Sequence, residues 1–272
     1  FGVPAEVSTY LLDSPIVAKF SFTGSTAVGK QLAQQAARSL KRATMELGGH
    51  APAIVCADAE VERAADMLIV GKFRNAGQVC IAPTRIYVLE PVYEAFVHAF
   101  LERARQLTPG NGLLDGSSMG PLANPRRVQA MRSLIADAVE RGAQLQCGGD
   151  AMAGPGYFWQ PTVLTDVPED ARVMNEEPFG PLALINRAHS VDEALERANR
   201  LPYGLAAYAF THDSATRMHL ARGLQTGMLG INSLHVSMPE APFGGVKESG
   251  WGSECGIEGL QEYCSIKLIS ED

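Results

Sequence analysis

The chain contains 272 residues, of which 46% are apolar and 19% are charged, and this composition is typical of globular domains. A formal net charge of −7 argues against nucleic-acid binding and against attraction to an anionic membrane surface. No apolar run reaches the roughly 18 residues of a membrane-spanning helix, and no secretory signal pattern opens the sequence. The five cysteines are scattered without a C-x-x-C pair, which argues against a zinc or other metal site and favours reduced thiols in the cytoplasm.

The first predicted elements form a β–turn–α–β unit. Residues Val17–Ser21 alternate as a short strand, a glycine-bearing turn follows at Thr23–Gly29, and a helical pattern then continues to Leu40. Arg42–Glu46 is predicted as the second strand. Such a unit presents the free N–H groups of a helix N-terminus to a phosphate. Because no initiator Met precedes it, we interpret the opening of the chain as the interior of a longer protein.

Strands and helices alternate over the rest of the chain. The predicted strands are Ala53–Val55, Arg85–Leu89, Leu182–Asn186, Ala206–Phe210 and Met228–Ile231. The predicted helices are Glu60–Asn75, Val92–Gln106, a helix from Pro125 to Arg141 capped by Asn124, Val191–Arg200 and Ser214–Arg222. This alternation predicts an α/β fold with a largely parallel sheet. Glu262–Leu268 has strand character but no helix to cover it, so we expect it to pair with another sheet edge, in a neighbouring subunit.

Cys80 is the strongest candidate for a reactive side chain. It lies between Gly77 and Pro83, where a turn is favoured over a continuing helix or strand. Glu46 ends a predicted strand just before a pair of glycines. A thiol that forms an adduct with a carbonyl and a carboxylate that activates water to release it are chemically complementary. A lone cysteine is more often a buried small hydrophobe and a lone glutamate a solvated charge, so the interpretation depends on the motifs around them.

Two strings around these residues carry a family resemblance. Met45-Glu46-Leu47-Gly48-Gly49 and Gly77-Gln78-Val79-Cys80 resemble, in order and spacing, the E-L-G-G and G-Q-x-C motifs of the aldehyde dehydrogenase superfamily. The resemblance extends along the whole chain but covers only about the second half of the family's pattern, and it is closest to bacterial succinate-semialdehyde dehydrogenase-like members. It implies an α/β fold with a three-layer α/β/α catalytic domain and the remnant of a Rossmann-like cofactor domain. The implied divisions are 1–47 for the cofactor domain, 48–249 for the catalytic domain, 250–262 for a return to the cofactor domain and 263–272 for an oligomerisation strand.

The resemblance also implies a cofactor site for NAD or NADP. Thr23-Gly24-Ser25-Thr26 resembles part of the family's F-T-G-S-T-x-V-G segment, which assigns Gly24 and Ser25 to the cofactor phosphates. Leu47 and Gly48 are assigned to the same cofactor. Glu176-Glu177-Pro178-Phe179-Gly180-Pro181 resembles the E-E-x-F-G-P motif, which places Glu177 at the ribose next to the nicotinamide and Phe179 beside it.

Three further residues are assigned to the substrate by the resemblance. Arg74 occupies the position at which succinate-semialdehyde members place an arginine that grips a distal carboxylate through two parallel hydrogen bonds. The alternative is a solvent-facing arginine at a helix end. Asn232 matches a family asparagine near the substrate funnel, and Ser237 lies where the family builds the loop through which substrate enters. Pro242–Gly250 resembles the P-F-G-G-x-K-x-S-G segment, but Gly252-Ser253-Glu254 then departs from the usual G-R-E.

Together these assignments predict the NAD(P)-dependent oxidation of an aldehyde, with a semialdehyde acid among the candidates, by a homodimer or homotetramer. Cys80 is the expected nucleophile and Glu46 the expected base. An acylating dehydrogenase that passes its thioester to coenzyme A, or a glutamyl-phosphate reductase, remains an alternative, although neither requires Glu46. The family's W-N-F-P asparagine, which donates to the oxyanion, has no counterpart in this sequence. An inactive half of an enzyme is therefore the third interpretation.

Overall fold

The computed structural model describes residues 2–272, and Phe1 lies outside the described residues. The first four elements are one additional helix followed by the predicted β–turn–α–β unit. They are α1 (Pro4–Asp13), β1 (Lys19–Thr23), α2 (Thr26–Ala37) and β2 (Arg42–Glu46). Helix α2 begins directly after Ser25, because the Ser25 carbonyl accepts the first helical hydrogen bond, from the Gly29 N–H, at 2.9 Å.

The remaining helices and strands follow in chain order. These elements are β3 (Pro52–Val55), α3 (Val61–Phe73), β4 (Arg85–Leu89), α4 (Tyr93–Gln106), α5 (Pro125–Glu140), β5 (Gln144–Cys147), β6 (Thr162–Thr165), α6 (Arg172–Asn175), β7 (Leu182–Ala188), α7 (Val191–Asn199), β8 (Tyr203–Gly204), β9 (Ala206–Phe210), α8 (Ser214–Gly223), β10 (Met228–Ile231), β11 (Val246–Lys247), β12 (Gly250–Trp251) and α9 (Gly256–Gln261). None of the helices in the described part of the chain combines the length and the apolar character that crossing a bilayer requires.

A seven-stranded sheet in the order β10–β9–β3–β4–β7–β6–β5 forms the middle layer. Its strand pairs are parallel except for the antiparallel pair of β5 with β6. Helices α3 and α4 cover one face with residues such as Leu68 and Phe96, and α5, α7 and α8 cover the other with residues such as Met131 and Leu220. Strands β3, β4 and β9 are buried along their whole length, as expected for strands covered on both faces. The predicted α/β fold with three layers is confirmed.

A smaller sheet in the order β1–β2–β12 lies at the start of the chain. β1 is parallel to β2, whereas β12 is antiparallel to β2 and aligns Gly250 with Glu46. The chain therefore returns after residue 249 to the sheet that contains Glu46. This pairing supports the predicted division into 1–47, 48–249, 250–262 and 263–272, whose boundaries stay predictions.

Two helices end earlier than the sequence predicts. The helix expected to reach Leu40 ends at Ala37, because the Lys41 N–H turns back to the Ala36 carbonyl at 3.1 Å. The helix expected over Glu60–Asn75 ends at Phe73, because Asn75 has a left-handed φ of 51° that an α-helix does not tolerate. Four predicted strands, 42–46, 85–89, 206–210 and 228–231, have the bounds that the structure gives them.

Other differences concern elements whose pattern is weak in the sequence. The first strand lies two residues later than predicted, at Lys19–Thr23, and α1, β5 and β6 have no predicted counterpart. The tail from Cys264 onward contains no strand within the described residues, and Ile266 and Leu268 are almost fully exposed. A strand needs a hydrogen-bonded neighbour, and the tail has none in the single chain. Its role in an oligomer stays a prediction.

Candidate active site

Cys80 lies in the loop that connects α3 to β4. A single 3-10 turn, Arg74–Gly77, follows α3, and within it Asn75 and Ala76 have φ of 51° and 54°. Non-glycine residues adopt such angles at a cost, so the surrounding contacts must hold this loop in place. Gly77 is one such contact, because a Cβ at this position would overlap the carbonyl oxygen of Gly180. The Cys80 loop is therefore packed directly against the segment that carries Glu177.

A cavity of about 680 Å³ opens in front of Cys80, and we call it the Glu46 cavity. It is lined by Thr23, Gly24, Ser25, Glu46, Leu47, Gly48, Gln78, Val79, Cys80, Arg127, Glu177 and Phe179. The structure thus brings the two predicted catalytic side chains and the six predicted cofactor-binding residues to one cavity. Their roles are taken up below as proposals.

Glu46 is the most deeply buried acidic group of the cavity. Only 3% of its surface is exposed, and neither carboxylate oxygen has a hydrogen-bond partner among the described residues. Burial, together with the negative charge of Glu254, raises the pKa of Glu46 to about 8. Such a carboxyl group exchanges its proton near neutral pH, as a general base must.

Cys80 is half-buried and lines the same cavity. Burial raises the pKa of its thiol, and the negative charges of Glu177 and Glu46 raise that pKa further. The backbone N–H groups of Cys80 and Ile81 act in the other direction, because they stabilise the thiolate. The thiol form therefore predominates at neutral pH.

Glu177 faces the Gly48-Gly49 turn. Its Oε1 accepts the Gly49 N–H at 3.3 Å, and a Cβ at Gly48 would lie 2.7 Å from its Oε2. Burial raises the pKa of Glu177 to about 7, whereas the Gly49 N–H and the positive charges of Lys72 and Arg127 lower it. The Glu177 carboxylate therefore lies directly against the backbone of the Gly48-Gly49 turn. A side chain at Gly48 would prevent this close contact.

The cavity also fits a dinucleotide. Helix α2 begins at its rim, and the Ser25 side chain does not cap the helix, so the first helical N–H groups remain free for a phosphate. The Gly24 N–H is not free for a phosphate, because it donates to the Glu46 carbonyl at 3.0 Å. Gly24 can therefore contribute to phosphate binding only because it has no side chain in the way. Arg127 donates to the Pro178 carbonyl, and its buried Nε has no partner within residues 2–272.

A second cavity, of about 250 Å³, lies on the other side of the Cys80 loop, and we call it the Arg74 cavity. It is lined by Val70, Gly71, Arg74, Ile81, Pro83, Tyr208, Leu234, His235 and Ser237. The Tyr208 hydroxyl donates to the Ile81 carbonyl at 2.7 Å, which fixes the wall next to Cys80. Arg74 is exposed, and its guanidinium makes no hydrogen bond or ion pair with the described residues. The structure thus places Arg74 and Ser237 in one cavity, as expected for a shared substrate.

Asn232 does not join them. Its side-chain amide donates to the Thr211 carbonyl at 2.8 Å and accepts the Thr211 N–H at 3.1 Å. It lines a separate small cavity beside His212. Asn232 therefore lies apart from Arg74 and Ser237, and both hydrogen-bonding ends of its amide join two backbone segments. Its contact with substrate stays a prediction.

The sequence assigned no role to Arg127 or Lys72. Gln78 was named only as part of the G-Q-x-C motif, without a role of its own. Gln78 ties the Cys80 loop to its surroundings, since its Oε1 accepts the Ala123 N–H at 2.7 Å and its Nε2 donates to the Pro121 carbonyl at 3.2 Å. No local sequence pattern distinguishes Arg127, which reaches the cavity from the first turn of α5. Lys72 did carry a signal, because its spacing from Leu68 places it on the buried face of α3.

The described residues 2–272 contain no group of three or more His, Cys, Asp or Glu side chains that could hold a metal ion.

Comparisons with known proteins agree on one family. The family model described as "Aldehyde dehydrogenase family" matches residues 1–269. The chain is 49% identical over 269 residues to a 4-(hydroxymethyl)benzenesulfonate dehydrogenase of Comamonas testosteroni, covering 99% of this chain and 56% of that protein. It is 41% identical over 268 residues to the NADP(+) succinate-semialdehyde dehydrogenase of Escherichia coli strain K12, covering 98% of this chain and 56% of that protein.

Solved structures give the same result. The succinate-semialdehyde dehydrogenase of Burkholderia pseudomallei superimposes with a TM-score of 0.95 at 43% identity, covering 97% of this chain and 55% of that one. The chain therefore spans little more than half the length of the relatives it matches. Over that length, its sequence and its fold show that it belongs to the aldehyde dehydrogenase family.

Proposed function

We propose that this chain supplies the nucleophile, the general base and part of the cofactor site for the oxidation of an aldehyde to a carboxylate with NAD or NADP. The observation that carries the proposal is that Cys80 and Glu46 line one cavity, in a member of the aldehyde dehydrogenase family. The chain covers about half the length of its relatives, so the activity is proposed for the whole protein.

In the first step, the Cys80 sulfur attacks the carbonyl carbon and forms a tetrahedral thiohemiacetal. The thiol loses its proton in this step, and the Cys80 and Ile81 N–H groups stabilise the thiolate. The Cys80 N–H then also lies next to the oxygen that gains negative charge, which is where such a donor accelerates acyl chemistry. A bound nicotinamide supplies the hydride acceptor that converts this adduct into a thioester.

Glu46 completes the cycle by taking a proton from water that attacks the thioester carbonyl. The carboxylate product leaves, and Cys80 regains its thiol. Because the pKa of Glu46 is raised to about 8, it is a stronger base than an exposed carboxylate and still loses its proton in the physiological range. We expect the rate of thioester hydrolysis to rise as the pH increases towards about 8 and beyond.

The residues that would hold the dinucleotide surround this chemistry. The phosphates would lie at Gly24, Ser25 and the start of α2, and the nicotinamide ribose would lie at Glu177, with Leu47, Gly48 and Phe179 forming the walls. Glu177 can accept hydrogen bonds from ribose hydroxyls, since its Oε2 has no partner among the hydrogen bonds of the described residues.

The substrate that we propose is an aldehyde with a second, anionic group. Arg74 lies at one wall of the Arg74 cavity with a free guanidinium, and Ser237 adds a hydroxyl donor to the same cavity. Two relatives support this choice, because the names benzenesulfonate and succinate semialdehyde each describe a compound with an acidic group apart from its oxidised carbon. A guanidinium matches both carboxylate and sulfonate through paired N–H donors.

The decisive experiment is a Glu46→Gln variant of the whole protein. With aldehyde and NAD or NADP, we expect a burst of one reduced cofactor per site, slow turnover afterwards, and an acyl adduct on Cys80 detected by intact-mass and peptide mass spectrometry. Steady turnover without a burst or an adduct would contradict the assignment of Glu46. An adduct on a cysteine other than Cys80 would contradict the assignment of the nucleophile.

A further inference from the structure

Arg127 lines the Glu46 cavity, and the proposed reaction gives it no role. Among the described residues it is the only basic side chain of that lining, whereas Glu46 and Glu177 are acidic. The Arg127 side chain is half-buried and lies in the first turn of α5. The cavity therefore contains one cationic group beside two carboxyl groups.

Hydrogen bonds hold Arg127 in place at both its ends. The backbone N–H of Arg127 donates to the Asn124 side chain, at 3.2 Å, which caps α5. The Nη2 group of the guanidinium donates to the Pro178 carbonyl. Arg127 thus joins the start of α5 to the segment that carries Glu177, and its guanidinium has a defined position in the cavity wall.

The charge of Arg127 has no direct counter-charge in residues 2–272. Its guanidinium forms no salt bridge there, and its buried Nε has no hydrogen-bond partner. The carboxylate of Glu177 accepts the Gly49 N–H at 3.3 Å instead. Burial lowers the pKa of Arg127, because partial removal from water opposes its charge. A guanidinium in this situation is stabilised by an anion that accepts its unpaired N–H groups.

The anion that fits this position is a phosphate of the cofactor. The acidic group of the substrate is proposed to bind Arg74 in the Arg74 cavity, and Arg127 does not line that cavity. The cofactor phosphates are proposed to lie at Gly24 and Ser25, which line the same cavity as Arg127. Arg127 and the phosphates therefore share one cavity.

The anchoring contact indicates which phosphate is meant. Pro178, whose carbonyl accepts from Arg127, lies between Glu177 and Phe179 in the chain. Glu177 and Phe179 are the residues proposed to hold the ribose next to the nicotinamide. The phosphate attached to that ribose is therefore the nearer of the two phosphates to Arg127.

We propose that Arg127 binds the phosphate on the nicotinamide side of the dinucleotide, through charge-assisted hydrogen bonds from its guanidinium. This inference rests on the proposed cofactor site and adds a residue to it. The planar guanidinium presents paired N–H donors that match phosphate oxygens. Its positive charge also offsets the repulsion that ionised Glu46 and Glu177 exert on an anionic cofactor.

The test is equilibrium binding to the whole protein without aldehyde. NADH is titrated by its fluorescence, and nicotinamide mononucleotide and nicotinamide riboside then displace it. These two displacing ligands differ only in the phosphate, so their comparison isolates the contact with that group. The variants are Arg127→Gln and Arg127→Lys, and the matched control is Arg126→Gln, at the exposed neighbouring arginine of the same helical turn.

We expect Arg127→Gln to raise Kd for NADH and for the mononucleotide roughly ten- to a hundredfold, while Kd for the riboside changes by less than about twofold. Arg127→Lys should raise the first two Kd values by about three- to tenfold, because an ammonium lacks the paired donors. Arg126→Gln should change none of the three Kd values. A purely structural role for Arg127 would weaken the mononucleotide and the riboside by the same factor.

The proposal is overturned if Arg127→Gln binds the mononucleotide as tightly as the unmodified protein does, or if the riboside loses affinity by the same factor. If Arg127→Gln does not fold, as judged by its thermal unfolding, Arg127→Lys decides by the same two criteria. An unmodified protein that does not bind NADH would overturn both this proposal and the proposed cofactor site. Unchanged binding in the variants would overturn the role of Arg127 alone.

Discussion

The two cavities that flank the Cys80 loop have opposite chemistry. The Glu46 cavity presents the buried carboxyl groups of Glu46 and Glu177 to one side of the loop, and the Arg74 cavity presents the exposed guanidinium of Arg74 to the other. Cys80 itself lines the first cavity, whereas its neighbour Ile81 lines the second. Consecutive residues of one loop therefore line a cavity with two buried carboxyl groups and a cavity with an exposed guanidinium.

The two cavities differ in how far their ionisable groups are buried as well as in the sign of the charge that these groups carry. In the Glu46 cavity, removal from water raises the pKa of Glu46 and of Cys80, so each charge there strongly affects its neighbours. In the Arg74 cavity, water solvates and screens the guanidinium, which suits reversible capture of an anion. We propose that the first cavity controls proton transfer and that the second selects substrate, and the following predictions test this division.

Removal of the thiol should have the largest effect. In the whole protein, Cys80→Ser should lower kcat/KM for aldehyde oxidation by on the order of 10³-fold or more, because a hydroxyl at neutral pH provides far less anion than a thiol. Cys264→Ser, in the exposed tail, is the control and should leave turnover unchanged. Turnover of Cys80→Ser within tenfold of the unmodified protein would contradict the assignment.

Arg74→Ala should separate substrates by charge. We expect KM for a carboxylated or sulfonated aldehyde to rise about ten- to a hundredfold, since a charge-assisted hydrogen bond contributes about 1.5–3 kcal/mol, whereas KM for propanal or benzaldehyde should barely change. Arg63→Ala, at an exposed arginine of α3, is the control and should affect neither class of aldehyde. Equal losses for charged and neutral aldehydes would mean that Arg74 acts only at the helix end.

Asn232→Ala should affect stability without affecting substrate selection. The variant loses both hydrogen bonds to Thr211, each contributing about 0.5–1.5 kcal/mol, so we expect Tm to fall by about 2–6 °C. KM for charged and neutral aldehydes should remain unchanged. A rise in KM with unaltered Tm would contradict this prediction and would mean that Asn232 contacts the substrate.

Glu46→Gln should have a stability effect that depends on pH. The pKa of Glu46 is raised from 4.5 to about 8 in the folded chain, so the stability that its protonated form provides is complete below about pH 4.5 and is lost as pH rises through about 8. Glutamine suffers no such loss. Between about pH 5 and 9 the loss amounts to about 4 kcal/mol, so we expect the Tm of Glu46→Gln, relative to the unmodified chain, to rise by on the order of 8 °C over that range. A pH-independent difference in Tm would mean that Glu46 is ionised in the folded chain.

Local patterns in the sequence predicted the fold well where a strand is fully buried. The strands Arg85–Leu89 and Ala206–Phe210 are continuous runs dominated by apolar residues, and the structure gives them the same bounds as the prediction. Short edge strands such as Gln144–Cys147 were missed, because half of their residues face solvent and their pattern resembles that of a loop. The left-handed turn before Cys80 was also not predicted, since its angles are imposed by packing against Gly180.

The sequence by itself determined the α/β fold class, the family resemblance, and the candidacy of Cys80, Glu46, Glu177 and Arg74, because these depend on residue types at fixed spacing. Only the tertiary structure decided which of the candidates share a cavity, that the Asn232 amide is used by Thr211, and that Lys72 is fully buried with Thr84 as its hydrogen-bond partner. The physical reason is that burial and electrostatic coupling depend on distances between segments remote in the chain. The charge of Glu177 and the reactivity of Cys80 therefore follow from the folded chain, not from its motifs.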